Sequence, residues 1–443
     1  MPSFSILTFG CKVNQCDSQA IRETLTAWGL DEAHSQQGNI VHDADLVVIN
    51  TCTVTSAADA KFRKALRRVK REKPGALIAV TGCYANRALS LGTQIPEADI
   101  ILDGHDLSSF FHVLMARLPG QSETGPLTPS LRLPDEAMQS SRPQSYFANH
   151  TRAFLKIQDG CDSFCTYCVV PLARPTLWSE HSDKVTASIN SFSAAGYKEV
   201  VLTGIHLGFF GRDSGSAGIQ GLLNRIEQEC RIERVRLSSI EVNEVTDHIV
   251  ELMARSSKLC HHLHLPLQSG DDEVLRRMGR KYSSGFFAQR VEQIRAEIPD
   301  IGITADVMVG FPGETDSQFK RTCQFVSDMG FTKIHVFRYS PRPGTEAADM
   351  DEAVSPRIIS ERAKELIGIG ERTARSFKAR FFGKSVSVLT ETPADSGQAC
   401  FGLTSNYMKV KVSGVSDTCM NRIISVRLHT VDEHTGILQG CPM

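Results

Sequence analysis

Cys161, Cys165 and Cys168 form a C-x3-C-x2-C run, the densest group of reactive side chains in the sequence. Thiolates hold iron–sulfur clusters, and a [4Fe–4S] cube normally takes four of them. Three closely spaced ligands without a nearby fourth leave one iron open. That iron can bind a small molecule as a Lewis acid and pass it an electron. The alternatives are three structural cysteines or a zinc site. Zinc sites typically show paired C-x2-C elements with a fourth ligand, and no second pair matches this run.

A second group is dispersed. Cys11 lies in Thr8-Phe9-Gly10-Cys11-Lys12-Val13-Asn14, Cys52 in Asn50-Thr51-Cys52-Thr53-Val54, and Cys83 in Thr81-Gly82-Cys83-Tyr84. Each follows an expected strand by one to three residues. Taken singly, each reads as a buried cysteine. Taken together they read as ligands, because the carboxyl ends of parallel strands share one edge of a sheet. The other cysteines, Cys16, Cys230, Cys260, Cys323, Cys400, Cys419 and Cys441, match no ligand spacing.

These side chains need a scaffold, and the apolar pattern supplies one. Up to about residue 118, short apolar runs (Phe4–Phe9, Leu46–Asn50, Leu77–Thr81, Ile100–Leu102) alternate with helical patterns near Asp17–Trp28 and Ser56–Glu72. This predicts a doubly wound parallel-sheet domain over 1–118. Pro119, Pro126, Pro129, Pro134 and Pro143 among polar residues mark a linker over 119–150. Strand-like runs then begin at Ala153, Glu199, Arg234, His262, Gly302 and Lys333, with helical patterns between them. Six such units predict a partial (βα)6 barrel over 151–375, its chemistry at the strands' carboxyl ends. A long helical stretch, Ser355–Phe382, leads into period-two segments that predict a small antiparallel β-barrel over 376–443.

Composition sets outer bounds. With 443 residues and a net charge of -1 the chain has the make-up of a globular protein of about three domains. No stretch approaches ~18 consecutive apolar residues, and Met1–Phe9 lacks the basic and apolar regions of a signal peptide, so a cytoplasmic protein with no membrane partner is expected. In a reducing compartment, 13 cysteines serve as metal ligands or small hydrophobes rather than disulfides.

The Cys161/Cys165/Cys168 motif, with Tyr167 before its last cysteine, resembles that of the radical S-adenosylmethionine (SAM) superfamily. The resemblance extends over nearly the whole chain to the methylthiotransferases, through Thr203-Gly204-Ile205-His206-Leu207-Gly208, His264-Leu265-Pro266-Leu267-Gln268-Ser269-Gly270, Val309-Gly310-Phe311-Pro312-Gly313-Glu314-Thr315 and Tyr339-Ser340-Pro341-Arg342-Pro343-Gly344-Thr345. It implies two [4Fe–4S] clusters, the second on Cys11, Cys52 and Cys83. It also implies SAM contacts at Tyr167 (through its backbone), Gly204, Glu241 and Gln268. The implied chemistry is reductive cleavage of SAM to a 5′-deoxyadenosyl radical, removal of hydrogen from adenine C2, and transfer of sulfur and a methyl group. An electron donor of the reduced flavodoxin or ferredoxin type and a sulfur source are the implied protein partners.

Gly10-Cys11-Lys12-Val13-Asn14-Gln15 is similar to the group acting on N6-threonylcarbamoyladenosine at tRNA position 37. Two basic features suit a tRNA partner. Lys61, Arg63, Lys64, Arg67 and Arg68 open a run of one sign whose self-repulsion a phosphate backbone would relieve. The terminal barrel resembles the TRAM RNA-binding domain. From Glu371 onward it has nine Lys+Arg against six Asp+Glu, and Tyr407, Lys409 and Lys411 are expected on one strand face. One stretch departs from the family. After Pro171-Leu172-Ala173-Arg174, where a Gly and an Arg-Ser-Arg-like element are expected, stand Pro175, Trp178 and Glu180. Two other readings compete: a methylthiotransferase for N6-isopentenyladenosine or a ribosomal protein residue, and a non-catalytic iron–sulfur electron carrier with an RNA-binding module.

Overall fold

The computed structural model describes residues 2–33, 44–102, 147, 150–394, 398–415 and 419–443. The expected linker, apart from residues 147 and 150, and the end of the first expected domain lie outside the described residues. The chain divides into two compact units: residues 1–143 with 159–163 and 168–177, and residues 144–158 with 164–167 and 178–443.

The first unit is built on a five-stranded parallel sheet, in the order Asp31–Glu32, Ser3–Thr8, Leu46–Thr51, Leu77–Gly82, Ile100–Ile101. The central strand Leu46–Thr51 is buried at every residue. Leu46 and Val48 pack on one face with Phe4, Ile21 and Leu25. Val47 and Ile49 pack on the other with Phe62, Leu66 and Val69. Helices Lys12–Ala27 and Ser56–Glu72 therefore cover opposite faces. That is the doubly wound arrangement expected of an unbroken apolar strand.

In the second unit six parallel strands follow one another in chain order: Ala153–Lys156, Glu199–Thr203, Arg234–Leu237, His262–His264, Gly302–Val309 and Lys333–Arg338. The two three-stranded ladders are stitched by bridges from Val235 to Leu259 and from Ser239 to His264. Among the described residues the first and last strands share no ladder, so this is the expected partial barrel. Helix Pro356–Ala379, capped by the Ser355 hydroxyl, leads to a closed five-stranded barrel. Its core joins Val388, Met408, Val410, Val426 and Leu428 to Phe377 and Phe381 at the helix end. One pair departs from the expected antiparallel pattern: Lys409–Ser413 runs parallel to Leu438–Pro442.

Buried arginines fasten this small barrel to the larger one. Arg234 donates to the Leu403 carbonyl at 3.0 Å and the Ser387 carbonyl at 2.8 Å. Arg236 donates to the carbonyls of Ser405 at 2.8 Å and Thr404 at 3.1 Å. Both guanidiniums, with Arg152, surround the fully buried Glu199, which receives Arg236 bidentately at 2.7 and 3.1 Å. Burial pushes the Glu199 carboxyl up, but Arg236, Arg152 and Arg234 outweigh it and hold it below the usual carboxylate range. Among the described residues no helix is long and apolar enough to cross a membrane.

Glu199→Gln is expected to destabilise the second unit by about 3–5 kcal/mol, because it strands Arg236 without a counter-charge. Urea unfolding checks this. A carboxyl depressed in the folded state contributes stability above its unfolded pKa of about 4 and loses it as the pH falls further. The gap between parent and variant should therefore narrow in acid; a gap independent of pH would refute the charge-based account.

Candidate functional site

Cys11 caps helix Lys12–Ala27 just past the first strand, Cys52 directly follows Leu46–Thr51, and Cys83 opens helix Cys83–Ser90 after Leu77–Gly82. The register pairs Thr8 with Asn50 and Thr51 with Gly82, so three adjacent strand ends carry the three thiols. Two glycines permit the approach. A Cβ on Gly10 would lie 3.0 Å from the Cys52 Cβ. One on Gly82, whose φ is +90°, would lie 2.3 Å from Asn50 Oδ1.

Two buried asparagines that the sequence reading passed over hold these loops. Asn14 Nδ2 donates to Asn50 Oδ1 at 3.0 Å and to the Thr51 carbonyl at 2.9 Å; Asn50 Nδ2 returns a bond to the Asn14 carbonyl at 2.8 Å. Asn14 Oδ1 also accepts from the Cys11 thiol at 3.3 Å. The signal was present: one asparagine sits three residues after Cys11 and the other two before Cys52.

Burial pushes the Cys52 thiol up to about 12, and neighbouring Cys83 and Cys11 push the same way. Beside them lies a buried cation. Arg174 donates from Nε to Cys83 Sγ at 3.3 Å, from Nη1 to Asp159 at 2.6 Å and from Nη2 to Asp17 at 2.7 Å. Burial opposes its charge, but Asp17, Cys83 and Asp159 hold it firmly protonated. Three cysteine thiols are a donor set for an iron–sulfur core, which replaces their protons on binding. Among the described residues no three Cys, His, Asp or Glu side chains group closely enough for a single metal ion. A four-iron cube takes its thiolates at separate corners and accepts a wider spacing.

The second group lies past the first barrel strand, where Cys161, Cys165 and Cys168 are all half-buried. Cys161 and Cys168 belong to the first unit and Cys165 to the second. Thr166 latches the loop within the second unit. Its N–H donates to the Met278 carbonyl at 3.1 Å, and its hydroxyl to the Arg277 carbonyl at 2.8 Å. Tyr167 packs against a cluster of Val274, Met278, Phe311 and Ala347. Arg280, absent from the sequence reading, donates from Nη1 to Cys165 Sγ at 3.4 Å and from Nε to the Tyr282 hydroxyl at 3.1 Å, and pairs with Glu241.

Gly204 immediately follows the second barrel strand, and a Cβ there would lie 3.0 Å from Gln158. Glu241 sits beyond the third strand at the start of a 3-10 turn, and Gln268 beyond the fourth, with φ +64°. Gln268 is pinned by its N–H to the Asp306 carbonyl at 2.8 Å. Tyr167, Gly204, Glu241 and Gln268 thus follow four successive strands of one unit at their carboxyl ends.

The basic helix sorts its cations into two classes. Arg67 pairs with Glu97, Arg68 with Glu72 and Lys70 with Asp99. Lys61, Arg63 and Lys64 are exposed and make no ion pair among the described residues. In the terminal barrel the expected strand face is corrected. The strand starts at Lys409, and Tyr407 sits in the preceding turn with φ +68°. Its ring stacks on His262 at 4.3 Å and lies 5.0 Å from the Arg236 guanidinium, so it serves the seam between the barrels. Lys409 instead lies 4.2 Å over the Phe401 ring, and Phe401 is opposite Lys411 in register. Of the departures from the family pattern, Trp178 lies 5.8 Å from Lys156 Nζ, and Glu180 pairs with Lys184 at 2.9 Å. Nothing in the structure explains Pro175.

Residues 3–103 match the family described as uncharacterized protein family UPF0004, and residues 155–326 match the radical SAM superfamily. The chain is 36% identical, over 97% of its length and 94% of the relative's, to the Bacillus subtilis threonylcarbamoyladenosine tRNA methylthiotransferase. A Thermotoga maritima protein of the same name is 36% identical over 88% of this chain and 87% of its own. The Parafrankia tRNA-2-methylthio-N(6)-dimethylallyladenosine synthase is 35% identical over 87% of this chain and 77% of its own. Among solved structures, the radical SAM methyltransferase TsrM of Kitasatospora setae, with cobalamin and a [4Fe–4S] cluster bound, superposes with a TM-score of 0.54. It covers 79% of this chain and 77% of its own at 15% identity, a likeness of fold.

Tyr407→Ala is expected to lower stability by about 1–2 kcal/mol through the lost stack and to leave RNA affinity as it was. Replacing Lys409 and Lys411 together with Ala should do the reverse, costing about 1 kcal/mol or less while weakening RNA binding. Denaturant midpoints and filter binding separate the two. A Tyr407→Ala chain of parental stability but reduced affinity would return that ring to the RNA face.

Proposed function

The chain belongs to the radical SAM tRNA methylthiotransferases, and from that membership we propose that it adds a methylthio group to C2 of N6-threonylcarbamoyladenosine at position 37 of tRNA. The observation that carries this reading is identity of 36% over 97% of the chain to a relative named for that nucleoside. The motif Gly10-Cys11-Lys12-Val13-Asn14 supports the same choice.

One thiol triad follows three parallel strand ends and the other lies in the loop after the first barrel strand, a donor chemistry that suits two clusters. Cys11, Cys52 and Cys83 would hold one, and Cys161, Cys165 and Cys168 the other. Bound there, the clusters and SAM would supply a carbon-centred radical, derived from SAM, that removes hydrogen from adenine C2, the sulfur that takes its place, and the methyl group carried by SAM. The protein's own part is placement. Arg280 orients Cys165 and Glu241 through one guanidinium. Glu241, Gln268 and the Tyr167 backbone offer polar contacts for SAM, and Gly204 admits a close approach. Among the described residues Lys61, Arg63 and Lys64 have no acidic partner to leave before meeting phosphates, and Lys409 and Lys411 offer further cations beside Phe401. An electron donor of flavodoxin or ferredoxin type, a sulfur source and a cytoplasmic location belong to the same reading.

Nucleoside mass spectrometry of tRNA from cells lacking the protein tests the substrate. The 2-methylthio form of threonylcarbamoyladenosine should vanish while that of dimethylallyladenosine persists; the opposite pattern would assign the chain to the other nucleoside. After anaerobic reconstitution the chain should bind about eight iron atoms, and about four when either triad is changed to Ala. Changing Lys61, Arg63 and Lys64 to Ala should weaken tRNA binding and flatten its dependence on log salt by about two to three.

A further inference from the structure

Arg174 occupies a position that the reading above leaves unused. It ends the short helical turn Val170–Ala173, beyond the last cysteine of the C-x3-C-x2-C run, and is 2% exposed. Its three nitrogens go to three different segments of the first unit. Nε reaches Cys83 Sγ, Nη2 reaches Asp17 on the helix capped by Cys11, and Nη1 reaches Asp159, two residues before Cys161. Asp159 also accepts from the Gly160 N–H at 2.8 Å, which fixes the entry to the cysteine run. Asp17 and Asp159 are themselves buried, at 8% and 4% exposure. The guanidinium is thus the counter-charge for two carboxylates and a hydrogen-bond donor to a cysteine sulfur.

We propose that Arg174 is a positioning residue that sets the redox poise of the amino-terminal cluster. Its N–H on the Cys83 sulfur would stabilise the charge gained when the cluster takes up one electron, and its carboxylate bonds hold it there. The inference rests on the reading that Cys11, Cys52 and Cys83 hold a cluster. A hydrogen bond to sulfur, and positive charge beside it, favour the more negative, reduced state. The fixed fork of arginine serves three acceptors in one plane, which a lysine cannot do. Asp17 opposes Arg174: its negative charge offsets part of what the guanidinium offers the sulfur.

The test uses the full chain with Cys161, Cys165 and Cys168 changed to Ala, reconstituted anaerobically so that only the amino-terminal triad is loaded. Dithionite supplies the electron, which converts the oxidised cluster to its one-electron-reduced form, followed by electron paramagnetic resonance. Arg174→Met should make the cluster about tenfold harder to reduce, a negative shift of about 59 mV. Asp17→Asn should shift the midpoint the opposite way. A merely structural role would move neither midpoint, or both in the same direction, and either result overturns the proposal. Should Arg174→Met hold no iron, Asp17→Asn decides alone. Absence of iron from the parent triple-Ala chain would overturn the cluster reading and the inference with it. Bound iron with unmoved midpoints overturns the inference only.

Discussion

Parallel pairing is the constraint on which the chemistry depends. In an antiparallel sheet, successive strands end at opposite edges and their following residues are thrown apart. In the first unit Ser3–Thr8, Leu46–Thr51 and Leu77–Gly82 all end at one edge, so Cys11, Cys52 and Cys83 meet although they are far apart in sequence. The same rule governs the partial barrel, where Gly204, Glu241 and Gln268 follow successive strands. The arrangement carries a cost. Loop backbone at that edge must be satisfied away from water, and in the first unit the Asn14–Asn50 pair performs that task.

A second regularity is the use of arginine where several segments meet. Arg236 joins Glu199 to carbonyls of the terminal barrel, Arg280 joins Cys165 to Glu241 and Tyr282, and Arg174 joins Cys83 to Asp17 and Asp159. Each is buried or nearly so, and each carries a carboxylate partner. An unpaired guanidinium at such depth would cost several kcal/mol. With a fork of fixed geometry, a single side chain satisfies partners that come from unrelated parts of the chain.

These arginines mark the boundary of what the sequence could tell. The cysteine spacing, the unbroken apolar strands and the six strand–helix units are local patterns, so they were legible along the chain. Arg174 and Arg280 were not, because their meaning lies in partners that the fold brings to them: Asp17 is 157 positions from Arg174, and Cys165 is 115 from Arg280. Tyr407 shows the opposite error. Its spacing from Lys409 and Lys411 continues a period of two, yet a left-handed residue interrupts the strand, and its ring turns to His262. Alternation identifies a face only while the backbone remains extended.

The near-zero net charge takes on a different meaning in this light. A nucleic acid responds to cations it can reach without displacing a stronger partner. On helix Ser56–Glu72, Arg68, Lys70 and Arg71 sit within 3.5 Å of an acid, as does Arg67, so a phosphate would have to compete for them. Among the described residues Lys61, Arg63 and Lys64 pair with no acid, and the release of counterions by such cations is what drives association with a polyanion. The sum over 443 residues averages these two classes together, and so conceals a stretch of one helix whose cations are exposed.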